Sequence, residues 1–131
     1  MKKLLVVFLV FCNLGISAQS RLKAFLENPS KTEILKLDLH RCKLKEWPSE
    51  LWQCKNLEHL DLSKNDLDDI PPDIEKLQNL KVLILSKNQI QKISPSLKKL
   101  PLLIDLQLDQ NPIDSLLLKE GDFPSLQILD L

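Results

Sequence analysis

This sequence of 131 residues has little glycine, no tyrosine and no net charge. It contains two Gly, no Tyr and two Trp, and its 18 basic side chains equal its 18 acidic ones. Loops that cradle phosphate groups need several glycines at fixed spacing, so P-loop and dinucleotide-binding motifs are excluded. Zero net charge argues against nucleic-acid binding, which needs a basic face. The 44% apolar content excludes a disordered chain, and the length fits one domain.

The start of the chain differs in composition from the rest and predicts an export signal. After two lysines comes an almost unbroken apolar run at residues 4–14, followed by the small residues Ser17 and Ala18. This order is typical of a secretory signal peptide. The run is about 11 residues long, whereas a membrane-spanning helix needs roughly 20. We therefore predict a signal peptide at residues 1–18, cleavage after Ala18, and no stable membrane insertion after its removal.

Three alternatives to this processing remain open at the level of the sequence. Cleavage could follow Ser20, or the apolar run could be retained as a membrane anchor. Cys12 could also be the acylated residue of a bacterial lipoprotein, but the bulky Phe11 stands before it where small residues are expected. Export places the protein outside the cytoplasm, and the sequence does not distinguish secreted, periplasmic and cell-surface locations.

A repeat with a period of 23 residues begins at residue 34. Leucine fills its first, fourth and sixth positions almost completely, and leucine accounts for 31 residues of the whole chain. The ninth position is a column of Cys42, Asn65, Asn88 and Asn111, and the fourteenth holds Trp47, Ile70, Ile93 and Leu116. The repeats span residues 34–56, 57–79, 80–102 and 103–125, with a partial copy at 126–131. Because the first four copies align without a gap, chance does not explain the pattern.

The pattern resembles the leucine-rich-repeat family, whose unit reads L-x-x-L-x-L-x-x-N-x-L, over residues 34–131. The period and the prolines Pro48 and Pro71 are similar to the short, typical subclass, and the chain also resembles small exported bacterial members. The resemblance implies an α/β solenoid, a horseshoe arc with a short concave parallel sheet of about five strands. Physical reasoning agrees, because the alternation of apolar and polar residues around Leu60 suits a strand with one buried face, and one coil cannot bury its own leucines.

The two ends of the repeat array are less regular than its middle. Apolar residues on one helical face and the following Pro29 predict an N-terminal cap helix and a turn at residues 19–33. At the other end the fifth copy contains only its strand, so we expect an open edge there. Uncovered edges recruit partners. This edge predicts possible self-association through Leu126, Leu129 and Leu131.

Residues for catalysis or metal binding are few. Cys42 and Cys54 fall on opposite sides of one coil, and we expect two buried free thiols, although their oxidation state stays open. Asp38 and Asp61 are neighbours on adjacent predicted strands, but two carboxylates are too few for Ca²⁺. We expect Lys36 and His59 to neutralise them. The sequence therefore predicts no enzyme, no metal site, no cofactor and no nucleic-acid partner.

The strongest functional prediction concerns the exposed face of the strands, where the third, fifth, seventh and eighth positions point to the concave side. Val82 and Ile84 form an apolar centre on the middle strand, and such centres with polar rims are typical of protein interfaces. The predicted rim consists of His59, Asp61, Lys64, Lys87, Asp105 and Gln107. We thus predict non-catalytic binding of a protein or peptide. The alternatives are a structural, self-associating surface protein and a truncated repeat relic without a partner.

Overall fold

The computed structural model describes residues 17–114 and 122–131, and within them it contains one α-helix and five short strands. Helix α1 spans Ala18–Glu27. The strands are β1 (Lys36–Asp38), β2 (His59–Asp61), β3 (Val82–Ile84), β4 (Asp105–Gln107) and β5 (Ile128–Asp130). They form one parallel sheet in the order β1-β2-β3-β4-β5. The predicted α/β solenoid is confirmed. Most of the predicted signal peptide, residues 1–16, and Leu116 of the fourteenth position lie outside the described residues.

The strands form because each repeat places leucines on alternate sides of a short extended segment. The middle residue of every strand is a leucine, and these leucines are paired across the sheet: Leu37, Leu60, Leu83, Leu106 and Leu129. The first four are buried, and together with the leucines of the sixth position they make a continuous core. Burying one such side chain contributes about 1.5–3 kcal/mol, so the stacked columns dominate the stability of the solenoid.

The return segment of each of the first three coils contains a short 3₁₀ helix, at Ser49–Gln53, Pro72–Lys76 and Pro95–Lys99. Two of these helices begin with proline, whose fixed φ suits a first helical position. The eighteenth position of the repeat lies inside these three helices and is buried in all three, as Leu51, Ile74 and Leu97. Strand and 3₁₀ helix thus lie on opposite sides of one apolar core.

The asparagine column satisfies the backbone where the chain turns away from the sheet. Asn88 accepts from the backbone N of Leu67 at 3.1 Å and donates to the carbonyl oxygens of Leu62 at 3.0 Å and Leu85 at 2.9 Å. Asn65 and Asn111 make the equivalent bonds in their own coils. Because each amide joins its own coil to the preceding one, the column holds the stack together as well as the turn.

Helix α1 covers the first coil. Phe25 is fully buried against the core, and Lys31 lies beneath the helix with its Nζ 5.1 Å from the Phe25 ring centroid. That amine donates to the carbonyl oxygens of Leu26 and Asn28 at the end of the helix, where a positive charge is favourable. At its beginning, the Ser17 side chain accepts from the backbone N of Ser20 at 3.1 Å. The helix therefore starts at Ala18, one residue before the predicted 19–33 segment.

The other end of the sheet is open among the described residues. Leu129 is 37% exposed, whereas its equivalents Leu60, Leu83 and Leu106 are 0% exposed. Ile128 and Leu131 are also exposed, and Leu126 is partly buried against the core. A separate feature of the described residues is that none of their helices has the length and apolar character to cross a membrane.

Candidate protein-binding surface

The middle strand presents the two apolar residues that the sequence singled out. Val82 and Ile84 flank the buried Leu83, so both side chains lie on the outer face of β3, where they are half-buried. The sheet register pairs Val82 with His59 and Asp105, and pairs Ile84 with Asp61 and Gln107. The four polar neighbours thus lie directly beside the apolar pair, two on each adjacent strand.

Three of these four polar neighbours take part in hydrogen bonds. Gln107 Nε2 lies 3.2 and 3.3 Å from the two carboxylate oxygens of Asp105 and donates to them. Asp61 Oδ1 accepts from the backbone N of Ser63 at 2.8 Å. The polar surroundings of the apolar pair are therefore preorganised before any partner arrives, which lowers the entropic cost of binding.

The seventh and eighth positions behave differently from each other. The sequence predicted exposed side chains at both, and at the seventh position this is wrong for Ser63 and Ser86, which are 9% and 8% exposed, whereas His40 and Asp109 are half-buried. The eighth position is exposed and has a positive φ in every coil, with values of 57 to 60°, at Arg41, Lys64, Lys87 and Gln110. The chain leaves the sheet at this left-handed residue, so the preceding serine turns inward while the basic side chains remain on the rim.

A hydrogen-bonded cluster occupies the start of the sheet. His40 Nδ1 lies 2.6 Å from Asp38 Oδ1, which also accepts from the His40 backbone N at 3.0 Å. The guanidinium of the buried Arg21, from helix α1, donates to the His40 carbonyl oxygen and lies 3.4 Å from His40 Nδ1. The sequence predicted Lys36 and His59 as the neutralising groups, and the structure adds His40 as a partner of Asp38. The cluster therefore joins the cap helix to the first strand.

Asp38, His40 and Asp61 have potential ligand atoms within 4.8 Å of one another, so they could reach a single metal ion. Their existing contacts explain the cluster without one. Asp38 Oδ1 accepts two hydrogen bonds and Asp61 Oδ1 accepts one, and both carboxylates hold the backbone two residues onward in the same way. The Arg21 guanidinium adds positive charge beside His40. We therefore assign this cluster a structural role.

Both predicted thiols are free and buried. Burial raises the pKa of Cys54 to about 11. Burial also raises the pKa of Cys42, and the nearby Arg21 opposes that shift. Cys42 Sγ donates to the carbonyl oxygen of Ala18 at 3.2 Å, in the place where later coils have an asparagine amide. Thiols with raised pKa values are poor nucleophiles at neutral pH.

The structure contains a second candidate surface, formed by two tryptophans, that the sequence did not predict. Trp47 and Trp52 stack with their ring centroids 6.0 Å apart and their planes 20° from parallel. They line an open cleft of about 450 Å³ between the first two coils, together with Lys45, Glu46, Asp68, Asp69, Pro71 and Asp73. The signal was present in the repeat alignment. Trp47 stands in an aliphatic column, and Trp52 occupies the nineteenth position, where Glu75 and Lys98 follow.

Parallel strands on one face, 3₁₀ segments on the other and an asparagine turn column define a repeat solenoid. A family model for the leucine-rich repeat matches residues 55–113. Over these residues the chain is similar to the leucine-rich-repeat family, whose members are generally protein-binding scaffolds and typically non-catalytic.

Solved structures of this family resemble the chain over most of its length. A leucine-rich-repeat protein of Leptospira interrogans is 32% identical, with a TM-score of 0.70, and the match covers 76% of this chain and 26% of that one. Toll from Drosophila, in its complex with Spätzle, is 29% identical with a TM-score of 0.67 and coverage of 76% and 15%. The Arabidopsis thaliana receptor kinase ectodomain GASSHO1/SCHENGEN3, in complex with Casparian strip integrity factor 2, is 34% identical with a TM-score of 0.56 and coverage of 61% and 10%.

The chain therefore spans about a quarter of the Leptospira protein and less of the other two. No curated protein matches it in sequence.

Proposed function

We propose that this protein binds a protein or peptide through the concave face of its sheet, with Val82 and Ile84 at the centre of the contact. The observation that carries the proposal is the pairing of these two half-buried apolar side chains with polar neighbours on both adjacent strands. Two relatives support it, since Toll and the GASSHO1/SCHENGEN3 ectodomain are both found in complexes with protein or peptide ligands.

Binding would work by rigid presentation. The hydrogen bonds of Gln107 and Asp61 already hold the rim, and the strand backbone fixes the apolar centre. Little ordering entropy is lost when such a surface meets its partner. The exposed Lys64 and Lys87 lie on the rim, where they favour a partner with acidic groups.

The size of the face predicts modest affinity. Five strands about 4.8 Å apart give a width near 24 Å, and the exposed strand residues give a height near 13 Å. This footprint is on the order of 300 Å², whereas a standard interface buries about 800 Å² on each partner. We expect weak and transient binding to the concave face alone, or stronger binding to a partner that also contacts the surrounding loops.

Export is the second part of the proposal. The apolar run at residues 4–14 would direct the chain out of the cytoplasm, to a secreted, periplasmic or cell-surface location. Cleavage after Ala18 would remove Ser17 and Ala18, which supply the side-chain cap of α1 and the acceptor for Cys42. Sequencing the amino terminus of the protein recovered from the extracellular or envelope fraction tests this. A terminus at Gln19 supports the site, and an intact Met1 refutes processing.

The test of the binding face is a pull-down from the same extracellular or envelope fraction, read by mass spectrometry. One bait is the native protein and another carries Val82→Asp with Ile84→Asp. A third, matched in charge, carries Gln53→Asp with Gln91→Asp at exposed positions away from the strands. Circular dichroism first establishes that all three fold. A partner held by the native and matched baits and lost with the strand variant supports the proposal. Identical partners with all three baits refute it.

The exposure of Leu129 favours a second candidate, association through the edge of β5. Its equivalents on the preceding strands are buried under a following coil, and a second copy of the chain could cover Leu129 in the same way. Sedimentation of the native protein and of Leu129→Asp measures this. A native dimer that the substitution abolishes supports self-association, and a native monomer at high concentration refutes it.

A further inference from the structure

The cleft of Trp47 and Trp52 lies away from the strand face, on the loops that follow the asparagine column. Residues 45–47 form one wall and residues 68–71 the other, with Trp52 contributed by a 3₁₀ helix. Its volume of about 450 Å³ exceeds that of one side chain and suits a side chain with its flanking backbone. The cleft is therefore large enough to receive a segment of another protein.

The aromatic wall of the cleft is fixed in position. Trp47 Nε1 donates to the carbonyl oxygen of Asp69 at 3.0 Å, which ties its ring to the next coil. Trp52 stacks on that ring, and both residues are half-buried. An indole whose N–H is satisfied by the protein presents mainly its apolar and electron-rich surface to a ligand. The two rings thus form a preformed platform.

The charge around this platform is strongly negative. Four carboxylates line the cleft, from Glu46, Asp68, Asp69 and Asp73, against one amine from Lys45. Asp73 forms an ion pair with Lys76. Asp68 and Asp69 are exposed, and their carboxylates have no ion pair or hydrogen bond within residues 17–114 and 122–131. Their charge is available to a ligand and repels an anionic one.

We propose that this cleft is a binding site for an arginine side chain in a basic segment of a partner protein. A guanidinium is planar and weakly hydrated, so it stacks on an indole face and can pair with a carboxylate at the same time. The cleft offers both groups side by side. This site is independent of the concave face, because none of its lining residues belongs to a strand.

The two cleft residues are the only tryptophans of the chain, so intrinsic fluorescence reports on this site alone. The full chain is titrated with the capped peptide acetyl-Gly-Arg-Gly-Arg-Gly-amide and with the same peptide containing citrulline, a neutral isostere of arginine. The arginine peptide is expected to change the emission with a dissociation constant on the order of 1 mM, and to bind several-fold more weakly at high salt. The citrulline peptide is expected to leave the emission unchanged.

Two double variants that retain both tryptophans test whether the carboxylates of the cleft bind the arginine peptide. Asp68→Asn with Asp69→Asn is expected to weaken binding of the arginine peptide about fivefold to tenfold. Asp66→Asn with Asp114→Asn removes the same charge at exposed positions outside the cleft and is expected to change affinity less than twofold. Val82→Asp with Ile84→Asp should leave the titration unchanged, so this test separates the cleft from the concave face.

The outcomes that overturn the proposal are equally specific. Equal responses to the arginine and citrulline peptides would show that the positive charge is not recognised. An equal loss of affinity in the two aspartate double variants would show that the peptide responds only to the overall negative charge of the protein and not to the carboxylates of the cleft. An unchanged emission with both peptides up to about 10 mM, or a response to a neutral oligosaccharide in place of the arginine peptide, would assign the platform to another role.

Discussion

The first coil and the middle coils share the left-handed residue at the eighth position but have different neighbours, and only the first coil has a second left-handed residue, Lys43 with a φ of 56°. In the second and third coils the columns repeat closely, with Asn65 above Asn88 and Ser63 above Ser86. In the first coil the same columns contain Cys42 and His40. The middle coils face coils of their own shape on both sides, whereas the first coil faces helix α1 on one side.

This difference explains why the column residues change. An asparagine amide in a middle coil donates to a carbonyl of the coil before it, but the first coil has the helix in that place. The Cys42 thiol is smaller and donates to Ala18 of the helix, and His40 contacts Arg21 of the same helix. A repeat position that keeps the same residue type therefore indicates a coil that packs between two similar coils. A position where the residue type changes indicates a different neighbour, such as helix α1, or an exposed surface, such as the tryptophan cleft.

The largest expected effect comes from comparing the asparagine of a middle coil with the cysteine that replaces it in the first coil. Asn88→Ala would leave the Leu67 N–H and two carbonyl groups without their buried partner, and we expect a loss of about 4 kcal/mol in the free energy of unfolding. Cys42→Ala removes one weak donor, so about 1 kcal/mol is expected. Urea unfolding of both variants measures the difference. Equal losses would mean that the first coil depends on its column as strongly as the middle coils do.

The same columns explain how far the sequence could predict the structure. The 23-residue period required parallel stacking, so the strands and the buried Leu60 and Leu83 followed from it. The path of the turn did not, because a positive φ at Lys64 has no signature in a residue type that usually avoids it. The inward serines depended on that path and were missed for the same reason.

Of the two candidate sites, one could be predicted from the sequence and the other could not. Val82 and Ile84 could be predicted because alternation along a strand assigns each residue to one face. The cleft could not, because it depends on side chains from two coils and on the direction in which Trp52 leaves its 3₁₀ helix. The contact between Arg21 and His40 could not be predicted either, because it depends on the docking of helix α1 onto the first coil. The repeat period predicts the contacts that recur in every coil. Contacts made by residues that depart from the repeat pattern can be identified only from the three-dimensional structure.

A second prediction separates the cap helix from the stack that it covers. Phe25→Ala would leave a cavity beneath α1 and is expected to cost about 3 kcal/mol. Leu26→Ala is the matched control on the exposed side of the helix and should cost well under 1 kcal/mol. A thiol reagent should then label Cys42 faster in Phe25→Ala than in the native protein, with Cys54 still protected. Equal acceleration at both thiols would show that cap and stack open together.

A third prediction concerns the pH dependence of stability inside the first coil. The Cys54 thiol has an ordinary pKa of 9.0 when unfolded and about 11 when folded. Its contribution to stability is therefore fully present below pH 9 and is lost as the pH rises from about 9 to about 11, by on the order of 2 kcal/mol. Urea unfolding of the native protein and of Cys54→Ala across this range isolates the effect. Parallel pH profiles for the two proteins would contradict the buried neutral thiol.

The smallest expected effect lies where the first and middle coils agree. Arg41 and Lys64 both have a φ of 57°, although only the first coil adjoins the helix. A β-branched residue is strained in this region and glycine is not, so at each site Val should be about 1 kcal/mol less stable than Gly. Urea unfolding of the four variants gives the two differences. Equal values would show that the turn belongs to the repeat itself, whereas a smaller value at Arg41 would mean that docking of α1 reshapes the turn of the coil beneath it.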